Sequence, residues 1–474
     1  MKKANFLVSL TLAVTVLALM TANVGVAFMQ SATATPVPTI TSVPPLSKPE
    51  GAVEVTFWYG LGGLLGNVVQ ETVNKYNASQ KKYYVKAVFQ SSYDDTINKI
   101  NAGLASGDLP NLAQVFDAGT QRMIDTKKVV LMQDLFERDG LKAVLDDMEP
   151  AVRQSYTING KLVSAPFNSS TAMLFIDRKA FKDAGLDPDK KLWTYEELRD
   201  AAKKLTVKGA DGKTTRHGIT IYPESWFFEQ EQAAHDKLYG EPNNGRTARM
   251  NKYTYNNDLG VDYFNWQKAL IDDGSALYFG PSQGGNAAGA AYTNGQAAMV
   301  FGSIANLRTY IAGADRAGGK VDVGVIYLPR RTANDKFRTV VGGASLWITT
   351  TGTKEQQEGA WDFIKWALTP EVQAFWASNT GYYPVVRKSY ELPEMKTALT
   401  KYPQFNVAID QLRLSEVTPA GSFHVSGVFV SMRQDVIKAI DDFMTGKVPT
   451  AKEALDKATA SSNEKLEDYN ATIK

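Results

Sequence analysis

The chain has 474 residues, with 52 Lys or Arg, 50 Asp or Glu, a formal charge of +2, three His and no Cys. This length accommodates two large domains or about three average ones, and the charge balance leaves no footprint for nucleic acid. The lack of Cys excludes disulfides, thiolate metal sites and cysteine nucleophiles, and His217, His235 and His424 are too scattered to form a His-x-x-x-His metal pair.

Lys2 and Lys3 precede an uncharged, apolar run from Phe6 to Met20, and small residues follow as far as Ala32-Thr33-Ala34. This is the plan of a secretory signal peptide, residues 1–34, cleaved after Ala34. An uncleaved anchor is the alternative, because the apolar character resumes from Val24 to Phe28. Residues 1–34 carry two lysines and no acid, so the mature chain is formally neutral, which suits small solutes or proteins better than polyanions. The expected location is therefore the periplasm or the outer face of the cell membrane. Residues 35–52 open with TPVPTITSVPPLSKP, five prolines in fifteen residues. This composition predicts an extended, semi-rigid linker outside any core.

From residue 53 onward strands and helices alternate. VEVTFW (53–58) reads as a first strand, and Leu65, Val68, Val69, Val73 and Tyr76 mark one face of a following helix. YYVKAVF (83–89) is a second strand. Ile97, Ile100 and Leu104 mark a second helix, and NLAQVF (111–116) is a third strand. Tyr156 to Val163 is a hairpin turning on Asn159-Gly160. MLFI (173–176) begins another strand-helix unit, and Thr194 with Glu197 is a capping box. VDVGVIYL (321–328) and ASLWITT (344–350) are late strands, 355–368 is an amphipathic helix, and the tail from 434 to 472 is mostly helical. The alternation implies an α/β fold, with parallel-rich sheet covered by helices.

Several stretches occur together in a familiar order: PFNSSTAMLFIDRKAFKDAGLDP (166–188), WTYEEL (193–198), NGQAAMVFGS (294–303), GGASLWITT (342–350), NTGYYPVV (379–386) and GKVPTAKEALDKA (446–458). In these the chain, over about residues 53–463, resembles the extracellular solute-binding proteins of ABC importers. AQVFDAGTQRMI (113–124), APFNSST (165–171) and VGGASLWI (341–348) are most similar to the branch that binds sn-glycerol 3-phosphate, while other branches bind maltodextrins and other oligosaccharides. The resemblance implies the two-lobe periplasmic-binding-protein fold of the maltose-binding-protein type, with a ligand cleft between lobes joined by crossing hinge strands. It places the N-terminal lobe at 53–170 plus 343–385 and the C-terminal lobe at 171–342 plus 386–474. It implies a monomer with no cofactor and no catalysis, which hands a small molecule to membrane permease subunits.

The resemblance also implies roles for eight residues. Arg433 would neutralise a phosphate through its planar fork. Tyr93, Ser170, Ser303 and Tyr382 would donate hydroxyls, and Gly343 a backbone N–H. Asp117 would accept from glycerol hydroxyls, and Trp226 would pack on the glycerol carbons. Two departures bear on pocket size. Asp117 stands where the relatives usually carry Glu, and Pro223, beside Tyr222, stands where a second aromatic is expected. Read without the family, the same residues allow other roles: Tyr93 beginning a helix, Ser170 in a turn, Gly343 as a packing glycine, Trp226 in the core, and Arg433 in a surface ion pair with Asp435 or Asp441.

Two other readings are weaker. Gly60-Leu-Gly-Gly-Leu-Leu-Gly66 follows a strand and opens a helix, but Leu65 stands where a dinucleotide fingerprint needs its third glycine. A secreted glycoside hydrolase or phosphodiesterase finds no support in adjacent carboxylates such as Asp94/Asp95, which cannot flank a scissile bond.

Overall fold

The computed structural model describes residues 42–473 apart from 283, 336 and 337. The expected signal segment 1–34, and the linker up to residue 41, lie outside the described residues. The remainder of the linker is extended and mostly exposed, as its prolines require, but it is tied to the folded body. The Val43 and Leu46 N–H groups donate to the Asn67 and Asn74 side chains at 3.4 and 3.2 Å, and the Tyr84 hydroxyl donates to the Leu46 carbonyl at 2.8 Å. Side-chain amides and the Tyr84 hydroxyl thus supply partners that the proline-rich backbone cannot make for itself.

Two five-stranded sheets organise the chain. The first takes β1 (Val53–Tyr59), β2 (Tyr83–Phe89), β3 (Leu112–Phe116), β4 (Ala165–Ser170) and the distant β10 (Gly342–Ile348), in the order β2-β1-β3-β10-β4. The second takes β5 (Ala172–Asp177), β6 (Ile219–Ile221), β7 (Ala276–Tyr278), β8 (Met299–Ser303) and β9 (Val323–Ile326), in the order β7-β6-β8-β5-β9. Three neighbouring strands in each sheet pair in parallel, and a fourth runs in the same direction across one reversed strand. β10 and β5 run antiparallel to both of their neighbours.

Helices cover the sheets as the alternation predicts. α1 (Gly63–Ser79) packs on β2, and α4 (Lys354–Ala367) packs on β1. α3 (Ser225–Ala234) packs against β5 and against α5 (Phe429–Met444), which in turn packs on α6 (Ala451–Thr472). α2 (Tyr93–Ser106) follows β2, and its N-cap Ser92 accepts from the Asp95 N–H. The Thr194 capping box forms, and the hairpin turns through Asn159 and Gly160, both at positive φ.

The strands that link the sheets locate the site. β5 reads AMLFID and is buried throughout, as a strand covered on both faces should be. β4 is equally buried but reads APFNSS, so its last three residues carry polar side chains into the interior. Only Thr171 separates it from β5. The Thr171 hydroxyl lies 2.5 Å from that of Tyr383, whose own N–H donates to the Ser169 carbonyl at 2.9 Å. Polar atoms are expensive to bury unless they are used, and the seam between the sheets is where they are used.

Candidate functional site

A relay of hydrogen bonds places the first group. The Gly60 N–H donates to Gln114 Oε1 at 3.0 Å, the Gln114 side-chain amide to Asn168 Oδ1 at 2.8 Å, and the Asn168 side-chain amide to the Tyr93 hydroxyl at 2.7 Å. A Cβ on Gly60 would sit 2.7 Å from the Ser92 carbonyl carbon. The glycine-rich loop therefore serves close packing against the start of α2, not a pyrophosphate. The Tyr93 ring stacks on Phe116 with centroids 5.4 Å apart, and the Tyr382 phenol acts on its hydroxyl electrostatically. Burial pushes both phenols above their ordinary range, so at neutral pH they stay protonated and able to donate.

Arg433, on α5, lies at the centre. Its Nε and Nη2 donate to the two oxygens of Glu229 on α3 at 2.8 and 3.0 Å, and its Nη1 and Nη2 donate to those of Asp117 at 3.3 and 2.7 Å. Asp117 follows β3 in a short turn, so this second pair joins the first-sheet side to the second-sheet side. The surface-pair alternative is corrected: Asp435 is taken by Lys465 and Asp441 by Lys447. Burial alone would lower the Arg433 pKa, but the charges of Asp117 and Glu229 outweigh it and keep the guanidinium protonated.

The other four residues line the same seam. Ser303, at the end of β8, donates its hydroxyl to that of Ser170 at 2.9 Å. Gly343 is paired with Ser169, at φ +115°, and a Cβ there would lie 1.9 Å from the Asn168 carbonyl oxygen. The packing role of this glycine is thus real, and it stands alongside the backbone role implied by the resemblance. Trp226 is half-buried with its indole pressed on Gly342, where a Cβ would lie 2.5 Å from the ring. Tyr222 does not replace the missing second aromatic; it is buried, with its hydroxyl on the Phe301 carbonyl at 3.3 Å.

Sequence reasoning missed Glu229, Glu224, Tyr156 and the positioning amide of Asn168. Glu224 caps α3 through the Trp226 N–H at 3.0 Å. Tyr156 is fully buried, its hydroxyl makes no hydrogen bond, and Asp117 and Tyr382 act on it electrostatically. The indole N–H of Trp226 is likewise buried without a partner. Two unsatisfied donors beside a charged cluster are what a ligand would satisfy. A clue to Glu229 lay in SWFFEQEQ, where two acids share a short helix with three large aromatics. Acids in a helix that apolar must be covered and must find partners.

Four carboxyl groups, those of Asp94, Asp117, Glu224 and Glu229, act on the one Arg433 guanidinium. Burial pushes Glu229 up to about 7 against the pull of Arg433, with Asp117 and Glu224 adding to the push. Burial also pushes Glu231, two residues further along α3, up to about 7. A carboxyl whose pKa is higher folded than unfolded contributes stability at low pH and loses it as pH climbs through the folded value. Between pH 5 and pH 8 these two carboxyls therefore pull the midpoint of thermal unfolding down as pH rises, and Glu231→Gln should make the slope less negative. A melting series at fixed ionic strength checks this, and an unchanged slope in the variant would remove Glu231 from the explanation. Among the described residues no group of three or more His, Asp or Glu side chains is arranged to hold a metal ion, and no helix is long and apolar enough to cross a membrane.

The comparisons with known proteins agree with this architecture. Residues 71–406 match the family of bacterial extracellular solute-binding proteins. The chain is 28% identical over 409 residues to the sn-glycerol-3-phosphate-binding periplasmic protein UgpB of Yersinia pseudotuberculosis, covering 85% of this chain and 90% of that one. It is 26% identical over 435 residues to UgpB of Escherichia coli, covering 90% and 96%. Among solved structures, UgpB from Mycobacterium tuberculosis in complex with glycerophosphocholine superposes with a TM-score of 0.73 at 19% identity, over 89% of this chain and all of that one. The sugar-binding protein MalE of Xanthomonas citri superposes with a TM-score of 0.70 at 18% identity, over 88% and 98%. With a two-sheet α/β fold of the maltose-binding-protein type and a family match over most of its length, the chain belongs to the bacterial extracellular solute-binding proteins.

Proposed function

We propose that the protein is the extracytoplasmic solute-binding component of an ABC importer, and that its solute is a glycerol phosphate ester, either sn-glycerol 3-phosphate or a glycerophosphodiester. The observation that carries this reading is Arg433: a buried guanidinium fork that joins Asp117, after β3 of the first sheet, to Glu229 on α3. The relatives named as sn-glycerol-3-phosphate-binding proteins, and the solved complex with glycerophosphocholine, support it. In this reading Arg433 meets the phosphoryl oxygens, and Tyr93, Ser170, Ser303, Tyr382 and the Gly343 N–H donate. Asp117 turns from Arg433 to the glycerol hydroxyls as the ligand enters, and Trp226 covers the glycerol carbons. Residues 53–170 plus 343–385, and 171–342 plus 386–474, are the two bodies that close on the ligand. The protein binds without turnover and works as a monomer, exported by the segment 1–34 and delivering its solute to a permease.

An oligosaccharide is the second reading, and one observation favours it. Both edges of Arg433 are already met by carboxylates, and a half-exposed indole with surrounding acceptors is also a sugar platform. Isothermal titration with glycerophosphocholine, sn-glycerol 3-phosphate and maltotriose separates the two. Single-site heat with either ester and none with maltotriose is the expected outcome, and heat with maltotriose alone would replace the ester reading by the sugar reading.

A further inference from the structure

We infer, resting on the phosphate-ester reading above, that Glu229 is the positioning residue of the anion site: it holds the Arg433 fork toward the seam and sets the charge the site accepts, favouring a singly charged phosphodiester over a doubly charged monoester.

The two carboxylates on Arg433 are not equivalent. Glu229 and Arg433 stand on α3 and α5, which pack directly on each other, and α3 also packs on β5 of the second sheet. Asp117 comes from the end of β3 in the first sheet. A hinge motion that parts the sheets breaks the Asp117 pair and leaves the Glu229 pair intact. Glu229 is itself oriented, its Oε1 accepting from the Ser225 hydroxyl at 3.3 Å, and it is 3% exposed. It takes Nε and one proton of Nη2, which fixes the plane of the guanidinium and turns the Nη1/Nη2 edge to the seam. That edge is where Asp117 sits, at 3.3 and 2.7 Å.

A ligand anion takes the edge that Asp117 occupies, and Asp117 is a model for what the edge accepts: two oxygens sharing one negative charge. A phosphodiester has that charge. A monoester above its second pKa carries one more, and that charge faces Glu229, Glu224 and Asp94; His424, close enough to feel Arg433, is held neutral by burial and by that guanidinium. Tyr239 and Tyr253, also near Glu229, are phenols pushed up by burial and add no positive charge. Glu229 thus neutralises half of what Arg433 offers while fixing its direction.

The test compares sn-glycerol 3-phosphate with glycerophosphoglycerol, a diester whose second alcohol is neutral, so that no ligand cation contributes. At pH 8 Glu229 is ionised and the monoester is a dianion. Titrations of the parent protein are expected to show the diester binding at least tenfold tighter. Glu229→Gln keeps a hydrogen bond to Nε but removes the charge, and it should narrow that gap at least fivefold by gaining affinity for the monoester. Glu229→Asp keeps the charge and should keep the preference while weakening both ligands, a pattern that loss of packing alone would not produce. Equal or tighter binding of the monoester by the parent overturns the inference whether or not the variants fold, and so does an unchanged gap in Glu229→Gln. If the parent binds neither ester, the phosphate-ester reading itself fails and this inference falls with it.

Discussion

Replacing Arg433 by Ala is expected to weaken glycerophosphocholine binding by about 2–5 kcal/mol, roughly 30- to 5,000-fold, because it strips a desolvated anion of its cation. The fork also donates to Asp117 and Glu229, so the change leaves two buried carboxyls without their cation. Glu229, already pushed up to about 7, has then lost the charge that opposed its protonation. The variant should therefore be destabilised less at pH 6 than at pH 8, since a neutral Glu229 is cheaper to bury. Arg433→Lys retains charge without the planar fork and should fall between parent and Ala in affinity. Titration calorimetry at pH 7, with melting curves at the two pH values, measures both effects. Parent-like affinity in Arg433→Ala would remove the phosphate from this place in the protein.

Gly343→Ala is expected to cost about 4 kcal/mol of folding stability, the sum of two penalties of about 1–3 kcal/mol each for a left-handed non-glycine residue and an overpacked contact. The backbone there has φ +115°, and the new Cβ would lie 1.9 Å from the Asn168 carbonyl oxygen. Relief requires β10 to draw away from β4 where Gly343 pairs with Ser169, and Asn168 holds the Tyr93 hydroxyl. Binding should suffer with folding. Gly446→Ala is the control: it shares the positive φ, at +75°, with nothing within 4 Å of the added carbon, and should cost only about 1 kcal/mol. Denaturant unfolding of the three proteins compares them, and equal costs for the two variants would show that strain alone, without the carbonyl contact, sets the penalty.

Much of the fold is local and so was legible. The period-2 burial of β1, the cap at Thr194 and the Asn159-Gly160 turn are each written within a few neighbouring residues. The site is not local. Asp117 and Arg433 are 316 residues apart in sequence, and Tyr93 and Asn168 are 75 apart. Only the resemblance to a family pointed to these residues as a set, and spacing alone gave no reason to join them. Glu229 escaped because a carboxylate in a helix reads as a solvated face, and only packing reveals that α3 has almost no such face. The glycine loop at 60–66 misled in the opposite sense. It has the outline of an anion cradle, yet Gly60 spends its N–H on Gln114 and its missing Cβ on close contact with Ser92. Tyr156 sits at the start of a hairpin whose turn was plain, but its burial beside Asp117 depends on the second-sheet side, where Phe423 packs edge-on against its ring at 5.4 Å.

The most direct measurement is a crystal structure of the protein grown with glycerophosphocholine. The account predicts phosphoryl oxygens within hydrogen-bonding distance of the Arg433 Nη atoms, with Glu229 still on Nε and Asp117 turned to the glycerol hydroxyls. A phosphate bound elsewhere, with Asp117 still paired to Arg433, would contradict it.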